Sequence, residues 1–246
     1  MNDLYEHPQI TELMDILEQN GMGKEKEEVQ SLVDYIGDME KTLTEMLKEM
    51  QGMRQEINLI HNNSLRAKCQ NLVQKTEGKI KQVIAVVVRV KDNLIQSASN
   101  AIKTFKEKGK EAFSKAVRAM KVPETLDKLA GLFGKLSKEV EQDVVQINAM
   151  QSELNSAKGH LRNVGRLLIG REMKEAEQNK SDKGILSRFG KLYDKIGKGF
   201  AGLSQKAMDT ADKIRVSHVK ESVKNDLDAL KGMKNGRTVS DPSRDR

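Results

Sequence analysis

The sequence predicts an all-α protein: long antiparallel helices with heptad, coiled-coil-like packing, gathered in a helical bundle. Two apolar columns and one compositional fact carry that expectation. In the first column set, Val29, Ile36, Leu43, Met50 and Ile57 recur every seven residues, with Leu32, Met39, Met46, Met53 and Ile60 offset by three. In the second, Leu126, Phe133, Val140, Ile147, Leu154, Leu161 and Leu168 recur in the same way. A seven-residue repeat keeps one narrow face of a helix against a partner helix over its whole length. The composition agrees, with 32% charged residues, 3% aromatic residues, no Trp and only three Pro in 246 residues. Charge-rich, aromatic-poor chains with helical period are typical of long helices, and few prolines leave long stretches without a breaker.

The elements follow in order. Residues 9–20 read as a short amphipathic helix with Ile10, Leu13, Ile16 and Leu17 on one face. Pro8 suits its start, and Gly21-Met22-Gly23 ends it. A second helix begins near Lys24 and carries the first heptad set, all ten positions of which are apolar. Its frame slips at His61-Asn62-Asn63-Ser64, residues that favour caps and turns. A third helix carries Leu65, Leu72, Val73, Ile80, Val83, Val87, Val90, Leu94, Ala98 and Ala101. The run Val83 to Val88 has strand composition, but the helical period on both sides places it in a helix. Residues 102–121 continue as a basic amphipathic helix with Phe105, Phe113, Val117 and Met120 inward, interrupted at Lys108-Gly109-Lys110.

Pro123 opens the fourth helix, expected to run through residue 170 with its a and d seam buried throughout. Its d column reads Leu129, Leu136, Asp143, Met150, Ala157 and Val164. Asp143 breaks that column, and a polar seam residue can fix register at a cost in stability. Asn179-Lys180-Ser181-Asp182 reads as a connector. The last stripe holds Ile185, Phe189, Leu192, Ile196, Phe200, Leu203, Ala207 and Ile214, with helix continuing through Val219, Val223, Leu227 and Leu230. Phe133-Gly134-Lys135-Leu136 returns as Phe189-Gly190-Lys191-Leu192, which either a duplication or two helices docking alike would produce. Three parts result: an acidic helical segment over 1–61, a basic helical bundle over 62–231 and a polar tail over 232–246, expected to be disordered.

Charge divides along the same line. The formal net charge of +7 hides −9 on residues 1–61 and +16 on the rest. Two readings are open: the two parts attract each other or simply stay solvated, or the basic part meets a polyanion such as nucleic acid, anionic lipid or an acidic protein. The sharpest basic feature is Lys183, Arg188, Lys191, Lys195, Lys198 and Lys206 around the apolar stripe of 183–206, against Asp194 alone. Such a helix can lie in an anionic membrane interface or simply face the core of a basic protein. Met39, Met46, Met50 and Met53 form a second candidate surface. Thioethers tolerate several packings, so this column serves either ordinary seam packing or docking of varied partners.

Nothing points to catalysis. Gly197-Lys198-Gly199-Phe200-Ala201-Gly202 matches G-x-G-x-x-G, but no strand pattern precedes it, and dinucleotide binding needs a strand-to-helix turn there. His7, His61, His160 and His218 are scattered, without the spacing of a zinc site. No catalytic residue, cofactor-binding residue or metal ligand is expected. Zinc-finger, RNA-recognition and basic-zipper patterns are also missing from the sequence, so any nucleic-acid binding would be weak and electrostatic. The single Cys69 leaves no internal disulfide. No secretory pattern opens the chain and no apolar run reaches membrane-spanning length, so the expectation is a soluble cytoplasmic protein.

Three stretches support a resemblance: residues 60–69 (IHNNSLRAKC), residues 105–110 (FKEKGK), and Lys183-Gly184-Ile185-Leu186 running into residues 189–192 (FGKL). Together they resemble an uncharacterised bacterial family, a domain of unknown function, over most of residues 1–230. The resemblance implies an accessory protein of conjugative mobile elements in Gram-positive gut bacteria, and no activity or functional residue. The leading expectation is a non-enzymatic interaction or scaffold protein that binds protein partners or itself and takes no small-molecule substrate. The alternative is a peripheral binder of anionic surfaces, membrane or nucleic acid, through the basic helices.

Overall fold

The computed structural model describes residues 4–169, 171–172 and 184–235, with side chains described as far as Lys220 apart from His218. Within them the protein is all-α. A single 3-10 turn (Leu4–Glu6) precedes five helices: α1 (Pro8–Gln19), α2 (Gly23–Ile57), α3 (Asn63–Arg118), α4 (Val122–Leu168) and α5 (Ile185–Asn235). The expected connector at 179–182 lies outside the described residues. So does the tail beyond Asn235, while residues 232–235 still belong to α5.

Local chemistry sets the boundaries. Pro8 occupies the first turn of α1, where its missing N–H costs nothing. Gly21 ends α1 at φ 69°, a left-handed conformation that costs glycine little. There the Met22 amide donates to the Leu17 carbonyl at 2.9 Å, closing the helix end. At the expected frame slip, Asn62 caps α3 by accepting from the Leu65 amide at 3.0 Å. Gly109, at φ 77° and ψ −170°, breaks the helical path of α3 where the Lys-Gly-Lys step suggested. The chain past it turns onto α1, with Phe105 and Phe113 in edge contact at 5.2 Å on either side of the break.

Helices α2 to α5 close an up-down-up-down bundle. Cross-helix pairs give the directions: Glu40 with Lys91 and Arg54 with Glu77 make α2 antiparallel to α3. Glu139 with Lys79 and Asp143 with Lys75 do the same for α4 and α3, and Glu49 with Lys195 and Glu56 with Arg188 for α2 and α5. Helix α1 packs against α2 and the far part of α3. All ten positions of the first heptad set are buried, nine on α2 and Ile60 just past its end. On α3, Val83 and Val87 are buried while Val88 faces solvent, so the Val run is helical in burial as well as backbone.

The closest contact joins α4 to α5. Ser137 Oγ donates to the Gly197 carbonyl at 3.0 Å, and Ser204 Oγ donates to the Ala130 carbonyl at 2.8 Å. Small residues make this approach possible. A Cβ on Gly134 would sit 3.2 Å from Ser204 Oγ, and one on Gly190 would meet Ile147 and Asn148. Moving Gly134 forward and Ser204 back by the spacing of the repeated Phe-Gly-Lys-Leu motif lands on Gly190 and Asn148. The echo therefore marks equivalent places in an antiparallel pair, whatever its origin.

The fourth helix corrects one expectation. Its seam is buried only as far as Met150: Leu126, Phe133, Val140 and Ile147 are in the core, Leu154 is half-buried, and Leu161 and Leu168 are 74% and 81% exposed. The first residues of α3 and α5 lie beside residues near 153, and past that point no described helix covers α4. Residues 154–168 extend roughly 22 Å further at about 1.5 Å per residue.

Two substitutions in one heptad column measure that division. Ile147 is fully buried, so Ile147→Asp strands a carboxylate in the core and costs about 3–5 kcal/mol of stability. Leu161→Asp, at the same heptad position, should leave the thermal midpoint within error. Calorimetry on both variants checks this, and equal destabilisation would show the tip to be part of the core.

Candidate interaction surfaces

The structure divides the six basic residues of the last stripe. Lys183 lies outside the described residues. Arg188 pairs with Glu56 at 3.2 Å, Lys195 with Glu49, and Lys206 with Asp38. Lys198 pairs with Asp194 one helical turn away at 2.6 Å, and Lys191 stands exposed on α5 with an interaction of its own. Three of the six thus meet carboxylates of the acidic segment. The Glu49 carboxylate holds the Lys195 ammonium pKa above its ordinary value.

The same attraction runs along the molecule. Glu12 meets Lys106 at 2.7 Å, Glu25 meets Arg118 at 3.6 Å and Glu40 meets Lys91 at 3.1 Å. Of the two readings of the charge asymmetry, intramolecular attraction is thus present in the fold. The exposed pairs contribute little by themselves, while Glu40–Lys91 is largely shielded from solvent; the arrangement sets which faces meet. Met39, Met46, Met50 and Met53 are all buried under the chain's own helices. Met46 reaches α5, where a Cβ on Gly199 would overlap its methyl group. That contact accounts for one glycine of the G-x-G-x-x-G match. The motif lies inside α5, away from a helix N-terminus, so its amides serve the helix and not an anion.

A polar layer crosses the core between α3, α4 and α5. Asp143, 1% exposed, accepts from Lys75 Nζ at 3.0 Å through Oδ1. Its Oδ2 and Glu77 Oε1 make no hydrogen bond, and Thr76 and the Tyr193 hydroxyl lie together in the same layer. Arg54 holds the other oxygen of Glu77 at 2.7 Å. Burial pushes the Tyr193 hydroxyl well above its ordinary pKa, with the Asp143 carboxylate adding to the shift. Cys69, also buried, has its thiol pushed up to about 11 by desolvation. Among the described residues no group of three His, Cys, Asp or Glu side chains could hold a metal ion. Unsatisfied polar groups at this depth oppose folding but penalise slipped registers, since only the native register pairs Asp143 with Lys75 and Glu77 with Arg54.

The surface that sequence reading missed is the projecting end of α4. Leu161, Val164, Leu167, Leu168 and Ile169 are all exposed there. Leu154 to Leu167 span an apolar arc of about 140° at about 100° per residue. Lys158, Arg162 and Arg166 follow one edge at successive turns, and Arg171 stands just past the helix end. No acidic residue occurs between Glu153 and Glu172. Arg166 Nε donates to the Glu172 carbonyl at 2.7 Å, while Lys158 and Arg162 make no ion pair among the described residues. The signal was present in Leu161 and Leu168, but periodicity alone cannot tell a covered seam from an open one.

These features define a helical bundle with a basic, apolar arm that no other described helix covers. The chain belongs to a family of unknown function, DUF6674, whose model matches residues 6–246. No curated protein and no solved structure matches it.

The polar layer has a direct test in a double-mutant cycle. Lys75→Met leaves the Asp143 carboxylate buried without its partner and should cost about 1–3 kcal/mol. Asp143→Leu should be close to neutral, and the double variant should recover most of the loss in chemical denaturation. Strictly additive losses would mean that Lys75 does not compensate Asp143.

Proposed function

We propose that this protein is a non-enzymatic α-helical interaction protein, a scaffold whose bundle holds the end of α4 out as its docking element. The observation that carries this reading is the change in burial along one heptad column, from core at Ile147 to open at Leu161 and Leu168. An uncovered apolar face of this size does nothing for folding and invites contact with something else. The non-enzymatic reading draws support from the polar groups with unusual environments. They sit inside the core and do not converge on an open cleft where a substrate could reach them. A cytoplasmic setting and an accessory role on a conjugative mobile element belong to the same proposal. The first is supported by the single, buried Cys69 and by the finding that no described helix is long and apolar enough to cross a membrane. The second is supported by the resemblance of residues 60–69, 105–110 and 183–192.

The alternative reading, a binder of anionic surfaces through α5, is weakened where Arg188, Lys195 and Lys206 are already paired with carboxylates of α2.

Thiol accessibility tests the docking reading. Cys69 is buried, so a maleimide should report on an introduced cysteine alone. Leu161→Cys should label rapidly in purified protein and several-fold more slowly in cells that make it, with Lys81→Cys on exposed α3 surface labelling alike in both. Equal labelling of the two positions in cells would leave the α4 end without an occupant and end this reading.

A further inference from the structure

The end of α4 has a shape and charge that narrow its occupant. A helix partner in a two-stranded seam covers the a and d positions, here Leu154, Ala157, Leu161, Val164 and Leu168. It leaves Leu167 and Ile169 in water, both exposed and both large. The open seam is also only about two heptads long, short of what stabilises an isolated helix pair. A second copy laid antiparallel along it would bring Lys158 and Arg162 onto the same flank as their own counterparts. That is a like-charge arrangement, with no acidic residue between Glu153 and Glu172 to relieve it.

A flat anionic surface fits the exposed apolar residues at the helix end and the cations beside them. Leu167, Leu168 and Ile169 are consecutive and exposed at the C-terminal end of α4. Lys158, Arg162, Arg166 and Arg171 lie along and just past that end, with no acidic residue between Glu153 and Glu172. Apolar side chains at the tip with cations around them match the order of a lipid interface, hydrocarbon inside and anionic headgroups at its edge. No described helix is long and apolar enough to cross a membrane, and contact through this end needs none that is.

We propose that residues 158–169, together with Arg171, form a peripheral docking site for an anionic lipid surface. The site inserts Leu167, Leu168 and Ile169 between headgroups that Arg162, Arg166 and Arg171 contact. This rests on the reading of the α4 end as a docking element and names what it docks on. It also differs from binding through residues 183–206, whose basic residues are partly paired within the fold.

The experiment is sedimentation of the full-length protein with phosphatidylcholine vesicles containing roughly 30% phosphatidylglycerol. It is run at about 0.05 M and about 0.5 M salt. Wild-type protein should bind at low salt and be released at high salt, and should ignore pure phosphatidylcholine. Leu167→Ser with Leu168→Ser, and separately Arg162→Glu with Arg166→Glu, should each weaken binding by at least about tenfold. Circular dichroism and the thermal midpoint should stay unchanged, since neither pair touches the core. Lys81→Glu with Arg89→Glu alters charge equally on exposed α3 surface and should bind as wild type. The proposal is overturned if wild-type protein stays in the supernatant at low salt, or if the α3 control loses as much as the tip variants. It is also overturned if the tip substitutions abolish a dimer seen without vesicles, which would make a second copy the occupant. Protection of Leu161→Cys in cells without any vesicle binding would sink the lipid site and keep the docking reading. Loss of both would sink both.

Discussion

Phe133 and Phe200 stack at 6.1 Å across the contact of α4 with α5, in a strip where Gly134, Ser137, Gly190, Gly197 and Ser204 let the two backbones approach. The other helices are arranged around this pair. Tyr35 of α2 donates its buried hydroxyl to the Leu203 carbonyl at 2.9 Å, tying the second pair of helices to the first. Met46 of α2 presses against Gly199. Only small residues at these positions keep the α4–α5 distance short enough for the flanking aromatic and methionine side chains to fill the remaining space. The seam of α2, with its flexible methionines, then adapts to a surface that α4 and α5 have already set.

Charge complements this packing without replacing it. The acidic first quarter of the chain lies against basic faces of α3 and α5, so the −9 and +16 of the two parts partly cancel inside one molecule. The exposed pairs among these are individually weak and screened by salt. Their contribution lies in discriminating among ways of stacking similar amphipathic helices, since a rotated α2 would set acids against apolar surface. The buried Asp143–Lys75 and Glu77–Arg54 pairs do the same job along the helix axis. Positive charge at the end of α4 is less compensated: Lys158 and Arg162 make no ion pair among the described residues.

The parts that sequence made legible were those set by local period and local caps. The first heptad set is buried at all ten positions, and the Asn62 cap and the Gly109 break fall where residue chemistry puts them. Tyr193 and Ala211 were absent from the predicted α5 stripe although both are buried. The full width of that stripe comes from contact with two neighbours, and a single heptad column cannot express it. The open end of α4 was illegible for a related reason. Ile147 and Leu161 occupy the same heptad column and look alike in sequence, and what separates them is where α3 and α5 begin. That limit depends on chain lengths and crossing points elsewhere in the fold. The basic stripe of 183–206 was legible as composition, but its pairing partners on α2 lie more than a hundred residues away in sequence.

The central claim is that α4 is one helix with two roles, core through Met150 and, past the half-buried Leu154, an arm that no other described helix covers from Ala157 onward. Native-state hydrogen exchange along α4, on the isolated protein in dilute buffer, tests it most directly. Amides from Leu126 to Met150 should exchange only through global unfolding, and those from Ala157 to Leu168 through local opening at a far lower free energy. Uniform protection from Leu126 to Leu168 would contradict the account, because it would mean that the whole column is held by the bundle.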